Sequence, residues 1–528
     1  MSRNAINAIN AINAINAINS VNANLYAQLA AHFPQQKHTP AIALEDGSFY
    51  SWLDIEHASA RIAHLLTSLN LKKQARIAVQ VEKSAEFICL YLASLRAGYV
   101  FLPLNTAYKE NEIEYFLSDA EADVFVCSPM HFASLSQLAK RVGCAHVFTL
   151  DAPKENEKNS GSLLEQASSF PDKFNTVISQ DHDLAAILYT SGTTGRSKGA
   201  MLSHRNLLSN AQDLVELWQF TEHDVLIHAL PLFHIHGLFV ACHCALLSGC
   251  QMRLLKKFDA QQILKECAQA TVLMGVPTFY VRLLQESELN QSTMQAMRLF
   301  ISGSAPLLSE HFIQFKERTG HAILERYGMS ETGILSSNPY QGERKPNTVG
   351  PALAQVEIRI VDEHNKLCLN GDIGSIQVRG PNVFLGYWNR PEKTQEEMSA
   401  DGFFTTGDLG RWDESGYLQI VGRNKDLIIS GGYNVYPKEI ETLLDSIEEV
   451  DESAVIGLAD ADLGESVTAI LVLKQSKQIN ASDLILALKQ KIANYKVPKR
   501  IFFIDELPRN AMGKVQKNVL RTMFSGVL

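Results

Sequence analysis

Along the chain, short runs of apolar residues alternate with stretches in which apolar positions recur every three or four residues. Ala75-Arg76-Ile77-Ala78-Val79-Gln80-Val81 reads as a strand, Ser84 to Leu95 as the helix that follows it, and Ala122 to Cys127 as the next strand. Such alternation predicts parallel βαβ units. The segment Ala152 to Gln180 is rich in Lys, Glu, Ser and Asn and predicts a surface excursion. From Gln355 short strands and turns follow closely, at Val356 to Val361, Gly374 to Val378 and Tyr417 to Val421, which suggests a mostly β subdomain. After Gly422-Arg423-Asn424-Lys425-Asp426 the pattern resets. Helical spacing covers Pro437 to Leu444 and Ala481 to Ile492, and strands cover Ala454 to Gly457 and Val467 to Leu473. A domain boundary near Lys425 follows, with a large domain before it and a small one after it.

Two stretches depart from this texture. Residues Met1 to Asn24 carry five tandem Asn-Ala-Ile triplets between Asn4 and Ile18. A period of three suits neither strand nor amphipathic helix, so a flexible tail is expected; it lacks the basic start and apolar centre of a secretory signal. The uncharged stretch Val225 to Met252 is interrupted by His228, His234, His236 and His243 and by Pro231 and Gly237. It predicts a buried strand, turn and helix rather than a membrane span.

Length and composition narrow the class. The chain has 528 residues, 46% hydrophobic and 20% charged, which fits a globular protein with more than one core. A net charge of −9 leaves no basic footprint for a polyanion, so nucleic acid is not expected as a partner. The eight cysteines are scattered through apolar segments, as reduced thiols of a cytoplasmic protein would be. Cys242-His243-Cys244 raises a zinc site, but residues two apart on a helix point in different directions and no second ligand pair stands at zinc spacing.

The first candidate chemistry is a loop. A strand over Asp183 to Tyr189 delivers Thr190-Ser191-Gly192-Thr193-Thr194-Gly195-Arg196-Ser197-Lys198-Gly199. Glycines let backbone amides approach a polyphosphate, hydroxyls donate to its oxygens and Lys198 adds charge. A flexible Ser/Gly-rich connection has the same composition. The glycine spacing is not that of a Walker A loop.

Tyr189 to Gly199 resembles the signature of the adenylate-forming superfamily of acyl- and aryl-CoA synthetases, luciferases and peptide-synthetase adenylation domains. Further signatures follow in order: Leu230-Pro231-Leu232-Phe233-His234, Tyr327-Gly328-Met329-Ser330-Glu331-Thr332, Thr406-Gly407-Asp408, Gly422 to Asp426, and Pro508-Arg509-Asn510-Ala511-Met512-Gly513-Lys514. The resemblance runs from about Leu25 to the end. It implies an α/β fold with a large N-terminal domain of α/β subdomains plus a small β-barrel-like subdomain over 25–423, a hinge at 424–426, and a small mobile α+β C-terminal domain over 427–528, after the tail at 1–24.

The same resemblance implies roles. Lys514 would bridge the acyl carboxylate and the α-phosphate, and Glu331 would hold Mg2+, a hard cation suited to carboxylate and phosphate oxygens. Thr190, Ser191, Gly192, Thr193, Thr194, Gly195, Lys198, Ser304 and Ser330 would bind ATP, with Tyr327 on adenine and Asp408 and Arg423 on ribose. Lys425 takes the hinge position, His234 the aromatic gate, and Gly431 and Gly432 the passage for coenzyme A. No carrier motif follows Lys514, so a diffusible thiol acceptor is expected.

The acid is read from Met274 to Leu284. Helical spacing puts Phe279, Arg282 and Leu283 on one face, where an arginine commonly snorkels to the surface. Gly-Val-Pro-Thr-Phe-Tyr-Val-Arg, with Pro231 to Leu238 and Ile301 to Leu307, resembles the malonyl-CoA synthetases. That likeness implies that Arg282 holds the distal carboxylate of malonate with His236 in the same pocket, methylmalonate being a side substrate. A short-chain or aryl acid ligase is the alternative enzyme, and a nucleotide-binding scaffold the alternative without catalysis. Pro508 to Lys514 also has the spacing read by lysine acetyltransferases in this superfamily, which would neutralise Lys514.

Overall fold

The computed structural model describes residues 22–150, 163–190, 197–431, 433–460, 463–510 and 513–525. The low-complexity tail to residue 21 lies outside them. Two large sheets dominate. The first has eight strands in the order Gly333–Ser337, Leu324–Met329, Leu299–Ser302, Val272–Gly275, Val225–His228, Gln251–Leu254, Pro40–Leu44 and Phe49–Ser51, parallel except for the outermost pair at each end. The second has six, His146–Thr149, Val124–Cys127, Arg76–Gln80, Val100–Pro103, Leu184–Thr190 and Lys198–Ser203, with only the last antiparallel.

The expected βα alternation is the cause of this arrangement, because parallel neighbours need crossover helices that cover both faces. In the unit over Arg76–Gln80 and Ala85–Arg96, Ser84 caps the helix by accepting from the Phe87 amide, and every helical residue except Glu86 is buried. Ser51 and Asp54 form a capping box that starts the long helix Trp52–Ser68. The segment expected as a surface excursion is partly packed. Its residues 151–162 lie outside the description, but Phe170 and Phe174 place their rings on His64, and the Val177 amide donates to the Arg96 carbonyl at 2.9 Å.

A small antiparallel sheet of four strands, Glu357–Val361, Gly374–Arg379, Phe404–Trp412 and Leu418–Arg423, adjoins the large sheets. The C-terminal unit has its own sheet, built on the long pair Val450–Asp460 and Gly464–Leu473, and its own apolar clusters around Val467 and Ile456. Separate cores are what allow two units to move against each other.

Within the uncharged stretch the strand is Val225–His228, but the helix begins as a π-helix over His236–Cys242 before becoming α-helical over His243–Ser248. Gly237 explains the tight entry: a Cβ there would sit 2.0 Å from the Pro231 carbonyl oxygen. π-helical turns are frequent at functional sites, and this one carries His236. No described helix is long and apolar enough to cross a membrane.

Candidate active site

The phosphate loop hangs from a hairpin. Thr190 pairs with Lys198 and Tyr189 with Gly199 across antiparallel strands. Ser191, Gly192, Thr193, Thr194 and Gly195 lie outside the described residues, but their two stems are fixed. Tyr189 donates its hydroxyl to Asp119 at 2.6 Å, and Tyr115 donates to the Ser197 carbonyl at 2.7 Å. Gly199 has no room for a side chain, since a Cβ would meet Ile187 at 2.8 Å.

At the base of the hairpin five polar side chains converge. Lys198 Nζ lies 3.2 Å from Glu397 Oε1 and 4.0 Å above the Tyr387 ring centroid. The Tyr387 hydroxyl stands between two carboxylates, 2.8 Å from Glu397 Oε2 and 3.1 Å from Glu331 Oε1. Thr190 Oγ1 is 3.4 Å from the same Glu331 oxygen. Glu331 is buried, and burial raises its pKa despite the nearby Tyr387 and Lys198. A buried carboxylate held against its own desolvation is a place where a cation would be stabilising. Ser330 and Glu331 occupy the turn between Leu324–Met329 and Gly333–Ser337, which aims them at the hairpin.

The nucleoside end is assembled from three segments. Asp408 and Arg423 face each other in register across the strands Phe404–Trp412 and Leu418–Arg423, with Arg423 Nε 3.0 Å from Asp408 Oδ1. Tyr327 donates its hydroxyl to Asp408 Oδ2 at 2.5 Å, and burial followed by the Asp408 charge pushes its pKa well up. The aromatic expected on adenine is thus locked by its hydroxyl to the carboxylate expected on ribose.

Lys514 comes to this group from the C-terminal unit. It sits in a turn where the Lys514 amide donates to Asn510 Oδ1 at 3.0 Å and the Gly513 amide to the Asn510 carbonyl at 2.8 Å. Burial lowers its amine to about 8, helped by Arg423 and Lys425 and opposed by Asp408 and Asp426. The turn touches the acid-binding side as well: a Cβ on Gly513 would lie 3.2 Å from Thr278. Lys425 lies in the short 3-10 turn Asn424–Asp426, whose Asp426 accepts from Arg521 at 2.8 Å. Gly431 is exposed with φ +58°, a conformation that favours glycine, and its amide donates to the Leu463 carbonyl at 2.8 Å; Gly432 lies outside the described residues.

The acid side is built on the helix Pro277–Leu284, which starts with Pro277 directly after a strand. Phe279 and Leu283 are buried, whereas Arg282 is exposed, its guanidinium 5.7 Å from the Phe258 ring centroid. The face expected to carry all three therefore splits, and the arginine snorkels as its long stem permits. His236 is buried, with Nδ1 3.3 Å from Ser304 Oγ, and burial holds its ring neutral with Arg326 adding to the effect. Ser304 adopts φ +70°, a conformation uncommon for a non-glycine residue. Burial lowers His234 to about 4.

One residue was missed by the motif reading. Arg326 is 5% exposed, and its Nε and Nη2 have no hydrogen-bond partner among the described residues. Gly303 makes the space for it, since a Cβ there would stand 2.5 Å from the guanidinium carbon. Burial lowers this arginine to about 10. An unpaired buried guanidinium is costly unless something anionic completes it.

Comparison with known proteins identifies the family. The family model for AMP-binding enzymes matches residues 29–388, and the model for the C-terminal domain of AMP-binding enzymes matches 439–514. A malonate–CoA ligase of Arabidopsis thaliana is 35% identical over 90% of this chain and 85% of its own. The crystal structure of ATP-bound MatB from Rhodopseudomonas palustris is 51% identical, covering 96% of this chain and 99% of that one with a TM-score of 0.92. The apo structure of the same MatB, over the same coverage, has a TM-score of 0.82.

Proposed function

Because the chain belongs to the AMP-binding enzyme family, we propose that it ligates malonate to coenzyme A through a malonyl-adenylate, releasing AMP and pyrophosphate. The fold is that of the adenylate-forming enzymes, with a large N-terminal α/β domain and a small C-terminal domain. In the first half-reaction a malonate carboxylate oxygen attacks the α-phosphorus of ATP, and the bond to the β-phosphate bridging oxygen breaks. Lys514, lodged beside Asp408 and Arg423, would neutralise the charge that gathers on both reactants. Thr190, Ser191, Gly192, Thr193, Thr194, Gly195 and Lys198 would grip the triphosphate, and Lys198 would leave Glu397 to do so.

Glu331 would hold Mg2+ together with phosphate oxygens; its burial and the adjoining Thr190 hydroxyl fit a hard cation. The ion supplies charge neutralisation on the leaving pyrophosphate. In the second half-reaction the coenzyme A thiol attacks the acyl carbon and AMP departs, with Lys425 as the pivot and Gly431 and Gly432 lining the thiol's passage.

The substrate rests on one observation, the buried guanidinium of Arg326, whose Nε and Nη2 have no partner among the described residues, beside His236. A fatty or aryl tail would leave that charge uncompensated, whereas a second carboxylate matches its planar fork. Arg282, exposed on the helix Pro277–Leu284 beside Phe258, would attract the dicarboxylate from solvent. A panel of acids with pyrophosphate detection tests the reading. Malonate should turn over best; faster turnover of octanoate or benzoate overturns it in favour of the short-chain or aryl alternative. Arg326→Met should raise KM for malonate by about 10²-fold or more, as expected for one lost charge-assisted pair.

The eight cysteines are all free thiols, which supports a cytoplasmic location. Acetylation of Lys514 by a lysine acetyltransferase would remove its charge and stop adenylation. Peptide mass spectrometry on protein from cells checks this, and Lys514 found only unmodified removes it.

A further inference from the structure

Lys83 follows the strand Arg76–Gln80 and lines a cavity of about 260 Å³ whose wall includes Phe233, Lys256, Lys257, Phe258 and Phe279. The cavity lies at the carboxyl ends of strands from both large sheets, the usual place for ligands in such folds. It adjoins the gate through Phe233, next to His234, and the acid helix through Phe279, next to Thr278.

The Lys83 amine is held at two points by one residue, 2.7 Å from the His228 carbonyl oxygen and 2.8 Å from His228 Nδ1. His228 Nε2 lies 2.9 Å from the Gly237 carbonyl, a contact that requires an N–H, so Nδ1 presents a lone pair and accepts from the amine. Burial keeps this ring neutral. A neutral amine has two N–H groups, and both are engaged here. In that form the lone pair takes a direction not filled by His228, and Lys83 is itself part of the cavity wall. Burial brings the amine down to about 7, with Cys242 and Glu45 acting in the opposite sense.

We propose that Lys83 is an internal acyl acceptor, which takes the acyl group from the adenylate as an amide when no thiol arrives. This rests on the adenylate-forming reading given above. The amine lone pair attacks the acyl carbon and a C–N bond forms. The C–O bond to the AMP phosphate breaks, AMP leaves with that electron pair, and the surplus amine proton leaves to solvent through the cavity. No oxidant or further reactant is needed. The acyl-lysine would then occupy the cavity and slow the next turnover, so the enzyme would limit itself when its thiol substrate runs out.

The test uses the full chain with ATP, Mg2+ and malonate, with and without coenzyme A, followed by peptide mass spectrometry. Pyrophosphate release is measured in the same tube. An ordinary lysine is neutral at about one part in 10³ near pH 7, so even after allowing for lower nucleophilicity Lys83 should carry about tenfold or more adduct than Lys256 or Lys257. Coenzyme A should suppress it. Pyrophosphate release with no adduct on Lys83, or with adduct spread evenly over the three lysines, overturns the proposal. If malonate releases no pyrophosphate, the malonate reading fails instead, and the acid that does release it is used as donor. A second arm is independent of the acid: limiting acetic anhydride at neutral pH should label Lys83 ahead of Lys256 and Lys257, and equal labelling overturns the oriented neutral amine.

Discussion

At the residue scale, burial outweighs contact for Lys514 and Glu331, whereas at Arg423 burial is outweighed by the surrounding charges, Asp408 foremost. Lys514 illustrates the first case, because desolvation outweighs the attraction of Asp408 and Asp426 and leaves its amine at about 8. Its ammonium is present below that value and lost above it. kcat/KM for ATP, which reports the free enzyme, should therefore hold up to about pH 8 and fall beyond it, as followed by pyrophosphate release. Lys514→Arg should remove that upper limb while lowering the rate, since a guanidinium stays charged. Motif letters single out Lys514, Glu331, Asp408 and Arg423 in the sequence, and the structure brings Lys514, Asp408 and Arg423 close together. The letters could not reveal that Tyr327 spends its hydroxyl on Asp408, a contact between residues 81 positions apart. Arg326 escaped for a related reason. It sits immediately before the recognised string, which begins at Tyr327, and neighbours in a strand point to opposite faces, so it is turned away from the aromatic expected on adenine.

At the element scale, the strand-and-helix alternation was legible wherever one period prevailed. The helix after Ser84 and the strands around it fall within a residue or two of the hydrophobic pattern. The π-helix was not legible, since hydrophobic spacing does not report the close approach of Gly237 to the Pro231 carbonyl at its start. The split face of Pro277–Leu284 has a similar origin: spacing says which residues share a side, while side-chain length decides which of them reach solvent. Glycine at 303 belongs to this scale too, because the loop after Leu299–Ser302 passes directly over the Arg326 guanidinium. Gly303→Ala should push that group aside and cost about 1–3 kcal/mol as overpacking. The expected result is a KM for malonate raised more than the KM for ATP, with a small drop in melting temperature; equal changes in both constants would disconnect Gly303 from acid recognition.

At the scale of the whole molecule, the change of period near Lys425 suggests a boundary there, but periodicity says nothing of how the two units are placed relative to each other. That placement depends on contacts such as Gly513 against Thr278, between residues 235 positions apart. If Lys425 is the pivot, Lys425→Ala should slow thioester formation at least tenfold, about 1.4 kcal/mol, while a single-turnover burst of pyrophosphate is preserved; equal loss in both steps would remove the pivot role. The seat of Gly513 on Thr278 has a further consequence. The turn that delivers the lysine also stops the mouth beside the acid helix, so reagent and stopper are one piece of chain. If the adenylation reading holds, the seated turn would shield the nascent mixed anhydride from water, and on lifting away it would take with it the charge that made the anhydride. Opening and reversal would thereby be uncoupled, and the intermediate would meet its thiol only after the means of driving it back to ATP has been withdrawn.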